Sequence, residues 1–452
     1  MVDLRAFRPK FCSWLKLVTS PPEIKKNKDL DWCSTGVSRI LWRPMRDLLI
    51  SRLSPFKHGN FTRFYFVQTL SSIGKWSHDL ARAWIVVEMF GKAGALGTLL
   101  LATAIPSMIF ILYGGVLVDR VEVKRVFIFT SFFMAMASLT LAGITEFSDI
   151  EFWHLLIFGV IEGLIMAFQS PAFHTLTVRL VPREDFQQAL ALNSINFHLA
   201  RTLGPLLAGL IMAWKGPAAV FLFDGLTYFV LLRILISLKL QPSTRSEEAQ
   251  KESPWNALVH GLTYLWKVPF MRYKVLQLLG AISVIFPVII VTFRTYVTEK
   301  FQLTSEQFGF VFTWPALGSA LGSVSLTVLK PEKPLRLLLI GVPATSISLA
   351  AIPMAESLLV TCFLMSICGL SVYLSFVSLT MSLHLDVEED YRGRMSSLIG
   401  MGFLSIGPLM SFPLGFFADW VGFETSVYTS AVGYLILSGV LAFLHWRQWE
   451  AK

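Results

Sequence analysis

From about residue 64 to residue 445 the chain alternates long apolar runs with short polar breaks. Each run is about 20 residues, the length a helix needs to cross the hydrocarbon core of a bilayer. The runs are rich in Leu, Ile, Phe, Ala and Gly and show no period-2 alternation. They therefore predict helices rather than barrel strands, with every backbone polar group paired inside its own segment. Twelve spans are predicted: 64–90, 95–118, 126–145, 152–173, 189–214, 218–238, 274–297, 308–328, 335–354, 358–383, 396–420 and 425–445. The fold class is an all-α integral membrane protein.

Two longer polar stretches organise these spans. Residues 1–60 form a basic N-terminal tail without the long apolar core of a signal peptide. Within it, 40–53 reads as an amphipathic helix on the inner leaflet or as part of a mis-assigned start, since Met45 would serve as an ordinary initiator. A second polar stretch, 241–272, is a linker ending in an interfacial segment, and it divides the spans six and six. The expected units are thus 61–240, a first six-helix bundle, and 273–446, a second, with 447–452 as a short tail.

The halves repeat. Leu180-Val181-Pro182-Arg183-Glu184-Asp185-Phe186 after span 4 is echoed by Leu385-Asp386-Val387-Glu388-Glu389-Asp390-Tyr391 after span 10, and Gly204-Pro205 by Gly407-Pro408. An even number of spans separates the copies, so both face the same side: a parallel repeat about an axis along the membrane normal. Two pseudo-symmetric bundles around a midline cavity follow.

Composition adds orientation. The chain is 54% hydrophobic and only 15% charged, against about a quarter for a soluble domain, so much of its surface must meet lipid. Its net charge of +9 is unevenly placed: the turns on one side hold only Lys92, Lys215 and Lys300 among the bases. The positive-inside rule puts both termini in the cytoplasm and assigns the basic excess to topology and anionic lipid, not nucleic acid. Cys12, Cys33, Cys362 and Cys368 form no C-x-x-C pair and imply neither a disulfide nor a metal site. No Walker loop, G-x-S-x-G elbow or H-E-x-x-H is present. No enzyme activity, cofactor or metal is expected, and without a Walker loop direct ATP energisation is unsupported.

Three patches of sequence carry a family resemblance. The first is the loop after span 2, Gly115, Asp119, Arg120, Lys124 and Arg125; the second is Val181-Pro182-Arg183-Glu184 with Ala189, Ala191, Arg201, Gly204-Pro205 and Gly209. The third is Tyr391-Arg392-Gly393-Arg394-Met395 with Gly407, Gly415, Asp419 and Gly422. With Gln68, Ser71, Gly74 and Trp76 in span 1, the chain resembles the major facilitator superfamily, and within it the bacterial twelve-span exporters of enterobactin and macrolides. The loop after span 8, Lys330-Pro331-Glu332-Lys333-Pro334, departs from that pattern, and Leu190 stands where the branch commonly has asparagine.

The resemblance implies a secondary transporter working by alternating access, an antiporter exporting small amphipathic molecules, as a monomer in the bilayer. Uptake or lipid-related transport on the same fold is the alternative, as is a non-transporting receptor or scaffold that uses the basic tail. Gly115 would let two helices approach. Asp119 would accept hydrogen bonds from a facing helix N-terminus, while Arg120, Lys124 and Arg125 tie the cytoplasmic ends together. These charges are a conformational latch or plain topology anchors, and Arg392, Gly393 and Arg394 are helix-end clamps or positive-inside charge. Gly204-Pro205 and Gly407-Pro408 are helix bends that support rocking, or static packing.

Ionisable residues inside spans cost about 3 kcal/mol each at the bilayer centre and mark pathways or proton relays. Lys75, Asp79 and Arg82 share one helix face; Asp79 is the first candidate to take up and release the proton, or else a member of an internal ion pair. Glu162, between Gly159 and Gly163, is the second carboxyl, and the resemblance places spans 1 and 4 beside one cavity. Arg201 is a pairing partner or anion contact, Asp224 its counter-charge or a structural acid, and Arg294 faces the cavity or snorkels outward. His78 is a minor candidate for a pH-sensitive group.

Overall fold

Lipid offers no hydrogen bonds, so each apolar run closes its own backbone ladder. The computed structural model describes residues 53–240, 263, 268–329, 334–387, 395, 399–400 and 402–450, and these contain no β-strand. The tail to residue 52 with Cys12, Cys33 and Met45, most of the 241–272 linker, Lys330–Lys333 and Arg392-Gly393-Arg394 lie outside the described residues, as does the Asp119 side chain.

The spans follow the predicted order. Spans 1 to 4 are Gly59–Phe90, Ala93–Arg120, Val123–Phe147 and Phe152–Val178. Spans 5 and 6 are two limbs of Phe186–Ser237, parted at Gly216. Span 7 runs from Pro269 to Phe301 through two π turns. Spans 8 to 10 are Ser305–Leu329, Leu338–Ala351 and Leu358–Asp386. Span 11 is Gly407–Val421 with a π turn before it, and span 12 is Phe423–Glu450.

Among the described residues nine helices are apolar and long enough to cross a membrane. The stretch Arg183–Ser237 counts once there but holds two spans, because Gly216 at φ 78° and ψ 176° adopts a backbone conformation closed to other residues. Span 1 is missing from the nine because Lys75, His78, Asp79 and Arg82 dilute its middle. In span 11, Pro408 has no N–H to offer its own preceding turn, and the helix loosens there into the π turn 402–406. Pro287 stands likewise between the two π turns of span 7.

Small residues set the packing, since lipid gives helices no hydrophobic reason to associate. Gly163 of span 4 lies against the Thr103 backbone of span 2, and Gly114 of span 2 against Ala167 of span 4. The second half copies this contact: Gly318 of span 8 meets Ser366, and Gly369 of span 10 meets Pro315. A side chain at any of the four would enter backbone, which cannot give way. The parallel repeat is thus visible in the packing as well as in the loops.

The distribution of apolar packing distinguishes the two ends. At the end away from the termini, one continuous core joins both halves, running from Leu80, Val86 and Leu96 to Ile285, Phe308, Cys362 and Tyr434. At the termini end the core divides into one cluster per half, Phe61 to Leu238 and Met271 to Met395. Among the described residues the halves are therefore fused at the far end and pack separately at the termini end, which leaves a cleft between them.

The far-end seam is glycine-lined. Gly97 rests on the Ser411–Phe412 backbone, Gly415 on Ala93 and Gly94, and Gly209 on Gly309. Asp419, at the end of span 11, accepts hydrogen bonds from the backbone N–H groups of Ala93 and Gly94, both at 2.8 Å. These are orphan donors at the N-terminus of span 2, where the helix dipole favours a negative charge. At the other end of span 2, Gly115 has no described atom within 4 Å of where a side chain would be.

Chain entry is tied down by a short polar clamp. Ser54 donates to the Asp185 carboxylate in the loop after span 4, and His58 Nε2 lies 2.8 Å from its other oxygen. The Ser54 hydroxyl, and then His58, hold the Asp185 carboxyl below its ordinary range. A depressed carboxyl contributes stability above its unfolded value and loses it as pH falls through the folded one. The 53–60 segment should therefore stay docked at neutral pH and loosen in acid. Hydrogen exchange of that segment should rise on acidification in wild type and lose this dependence in Asp185→Asn.

Candidate functional site

Spacings of three and four place Lys75, His78, Asp79 and Arg82 on one face of span 1. That face looks onto spans 3, 4 and 6. Glu162 of span 4 gathers three of the four: Arg82 Nη1 donates to its Oε2, Lys75 Nζ lies 3.5 Å from the same oxygen, and His78 Nε2 lies 2.8 Å from Oε1. Gly159 makes this possible, because a side chain there would come within 3.1 Å of Arg82 Nη2.

The other ring nitrogen of His78 reaches a second carboxylate. Nδ1 stands 3.1 Å from Asp224 Oδ2 of span 6, and Ser138 of span 3 donates to that oxygen at 2.7 Å. Gly74 clears the way, since a Cβ there would lie 2.8 Å from Asp224 Oδ1. The His78 ring also packs edge-on against Phe221. His78, Arg82, Glu162 and Asp224 are each at most 3% exposed.

Asp79 differs from these. It pairs with Lys75 one turn back, and its side chain is 42% exposed, so it faces the cleft. The cluster contains three acids (Asp79, Glu162, Asp224), two permanent cations (Lys75, Arg82) and His78. It is electrically neutral when one proton sits on His78 and carries one excess negative charge when none does. Burial of uncompensated charge is costly, so the bound proton and the local electrostatics are linked.

Two further arginines stand apart from this network. Arg201 of span 5 lies over the Trp76 ring at 5.9 Å, and Arg294 of span 7 over the Phe312 ring at 5.1 Å. They belong to opposite halves, and Arg294 is in electrostatic range of both Asp79 and Arg201. Asp224 is engaged by His78 and Ser138, and Arg201 forms no ion pair with it. Trp84 against Phe308, 5.1 Å between centroids, and Phe308 against Phe312, 4.7 Å, close the cleft toward the far end.

In the loop after span 2, Lys124 ties the start of span 3 to the end of span 6. Lys124 Nζ donates to the carbonyls of Ile236 and Leu238 at 3.0 and 2.8 Å, capping span 6 within its own half. Arg125 pairs with Glu122, and Arg120 is exposed. Gly204 lies under Trp76, and its carbonyl accepts from Ser77 at 2.9 Å; no break in helical backbone occurs at Gly204-Pro205, whereas Gly407-Pro408 follows a π turn. In the second half, Lys274 pairs with Asp386 and donates to Ser382 at 2.6 Å, joining spans 7 and 10.

Sequence reasoning ranked Asp79 first and His78 low, and the geometry reverses their burial and their number of partners. The available signal was His78 at three residues from Lys75 and four from Arg82. Ser138 offered no chemical signal of its own, and Asp419 was legible only as part of the third patch, since both act through contacts between distant segments.

A helical membrane protein of two repeated halves, with a buried ionic network beside a cleft, is a carrier rather than an enzyme. Residues 50–452 match the transmembrane secretion effector family of the major facilitator type, and the chain belongs to that family. It is 22% identical over 403 residues to the multidrug efflux pump Tap of Mycolicibacterium fortuitum, covering 86% of this chain and 96% of that one. It is 21% identical to a staphyloferrin A transporter of Staphylococcus aureus over 59% of this chain and 66% of the relative. It is 24% identical to the enterobactin exporter EntS of Shigella flexneri over 48% of this chain and half of the relative. Among solved structures, a bacterial homologue of the human lysosomal transporter Spinster superposes with a TM-score of 0.65 at 14% identity, covering 87% of this chain and 96% of the other. The nucleoside transporter NupG superposes with a TM-score of 0.65 at 12% identity, over 85% and 98%. Both support the fold. The chain is a membrane transporter of small molecules.

Proposed function

We propose that this transporter exports small amphipathic molecules of the siderophore or drug type in exchange for protons, by rocking two six-helix bundles, about 61–240 and 273–446, around the central cleft. The observation that carries the reading is the fused far-end core facing a divided termini end, with a buried cluster beside the cleft that is neutral when one proton is bound. With both termini in the cytoplasm of the bacterial inner membrane, as the positive-inside pattern argues, the cleft opens to the cytoplasm, where an exporter loads. The efflux pump and the siderophore transporters among the relatives support the direction and the substrate type.

Proton exchange would run from the cleft through Asp79 and Lys75 to Glu162 and His78. The test is flux of fluorescent amphiphiles and siderophores into energised inverted vesicles. Uptake into the vesicles that a protonophore abolishes is expected. Asp79→Asn should slow it several-fold without abolishing it, because Asp79 is the exposed edge of the cluster and not its centre. Flux indifferent to the protonophore would end the proton-coupled reading, and flux in the opposite direction would support uptake.

A further inference from the structure

Intramembrane arginines are normally paired, because a lone guanidinium in a span is expensive. Arg82 obeys this through Glu162. Arg201 and Arg294 do not: among the described residues neither guanidinium has an ion-pair or hydrogen-bond partner, and Arg294 Nε is buried without one. Each guanidinium is held only by an aromatic ring, Trp76 or Phe312. Ring stacking orients the plane of an arginine but leaves its N–H fork unused. Asp79, an acid in electrostatic range of Arg294, is already taken by Lys75. The cleft therefore presents two oriented, unspent forks, one from each bundle.

We infer that Arg201 and Arg294 form an anion subsite shared by the two halves, and that the transported molecule carries negative charge as a carboxylate or an ionised phenol. The inference rests on the exporter reading and names its substrate class. A guanidinium fork matches a carboxylate or a vicinal pair of oxygens, and Trp76 and Phe312 offer flat apolar surface for the body of an aromatic or amphipathic anion. The placement also couples loading to movement. Two like charges facing each other in a poorly screened cleft repel, and the repulsion grows as the cleft narrows. An anion between them turns that repulsion into two attractions and so favours the closed cleft, the differential interaction that a population shift requires.

The test is equilibrium binding to the full-length protein in nanodiscs, read by tryptophan fluorescence with no gradient imposed. The probes are salicylate and citrate as anions, neutral salicylamide, and the cation tetraphenylphosphonium. Wild type should bind the anions in preference to the amide and the cation. Arg201→Gln and Arg294→Gln should each weaken anion binding by about tenfold, Arg→Lys at either position should restore part of it, and salicylamide binding should be unchanged. Anions bound no better than the amide, or anion affinity unaffected in both Gln variants, would overturn the inference. Since Lys keeps the charge, a Gln variant that fails to fold leaves the Lys comparison to decide: unchanged anion affinity in both Lys variants would then overturn it. Proton-driven efflux of cations alone would sink the anion subsite and leave the exporter reading intact, whereas anion binding without proton-driven flux would do the reverse.

Discussion

Glu162→Gln should uncouple transport from the proton gradient and reduce thermal stability. Glu162 is the one acid that meets Arg82, Lys75 and His78 at once, at 1% exposure. Removing one partner of a buried ion pair costs about 3 kcal/mol, because the other charge stays behind. Charge counting gives the functional effect. With Glu162 neutral, Asp79 and Asp224 balance Lys75 and Arg82, so the cluster no longer needs a proton to be neutral. Exchange of substrate across a membrane without a gradient should persist, while accumulation against a gradient is lost. The double variant Glu162→Gln with Arg82→Gln removes both members of the pair and should recover part of the lost melting temperature. Full accumulation by Glu162→Gln at wild-type expression would remove Glu162 from the coupling route.

Asp419→Asn should open the far end. The Asp419 carboxylate accepts two backbone N–H bonds at 2.8 Å from the start of span 2, and it crosses between the halves to do so. Hydrogen bonds to an ionised acceptor contribute about 1.5–3 kcal/mol. An amide loses the charge and one of the two acceptors, so the closed far end should lose about tenfold in relative population. Gly97→Val should act more strongly in the same direction: its side chain would meet the Phe412 Cα near 2.9 Å, and backbone cannot move aside. Spin labels at Phe147 and Met354, both exposed at the far end and in opposite halves, report this as a longer distance population. Identical distributions in wild type and both variants would show that the seam does not hold the conformation.

Much of the fold was legible because the membrane makes local sequence decisive. A run of about 20 apolar residues must be a helix wherever it sits, so the twelve spans needed no knowledge of their neighbours. The helices extend beyond the apolar stretches, as at Gly59–Phe90, because a helix continues into the polar interface once its ladder is formed. The internal repeat was readable in two loops and two Gly-Pro pairs, and the structure extends it to Gly114 and Gly163 with Gly318 and Gly369. The π turns of spans 7 and 11 were not foreseen, although Pro287 and Pro408 stand beside them.

The site was legible in part, and the limit has a physical origin. Residue types and helical spacing named Lys75, Asp79, Arg82, Glu162, Asp224, Arg201 and Arg294 as the costly groups in lipid, since a charge in a span is expensive whatever surrounds it. Which of them meet is a matter of rotation and depth between helices, and no single span encodes that. Only the packing of spans 1, 3, 4 and 6 put His78 between Glu162 and Asp224, left Asp79 facing the cleft, and separated Arg201 from the acid expected to neutralise it. The sequence by itself determined the spans, their repeat and the list of charged residues, because those follow from local polarity against a fixed solvent. The tertiary structure alone decided the pairing of charges, the closed far end and the two free guanidinium forks, because those depend on contacts between segments far apart in the chain.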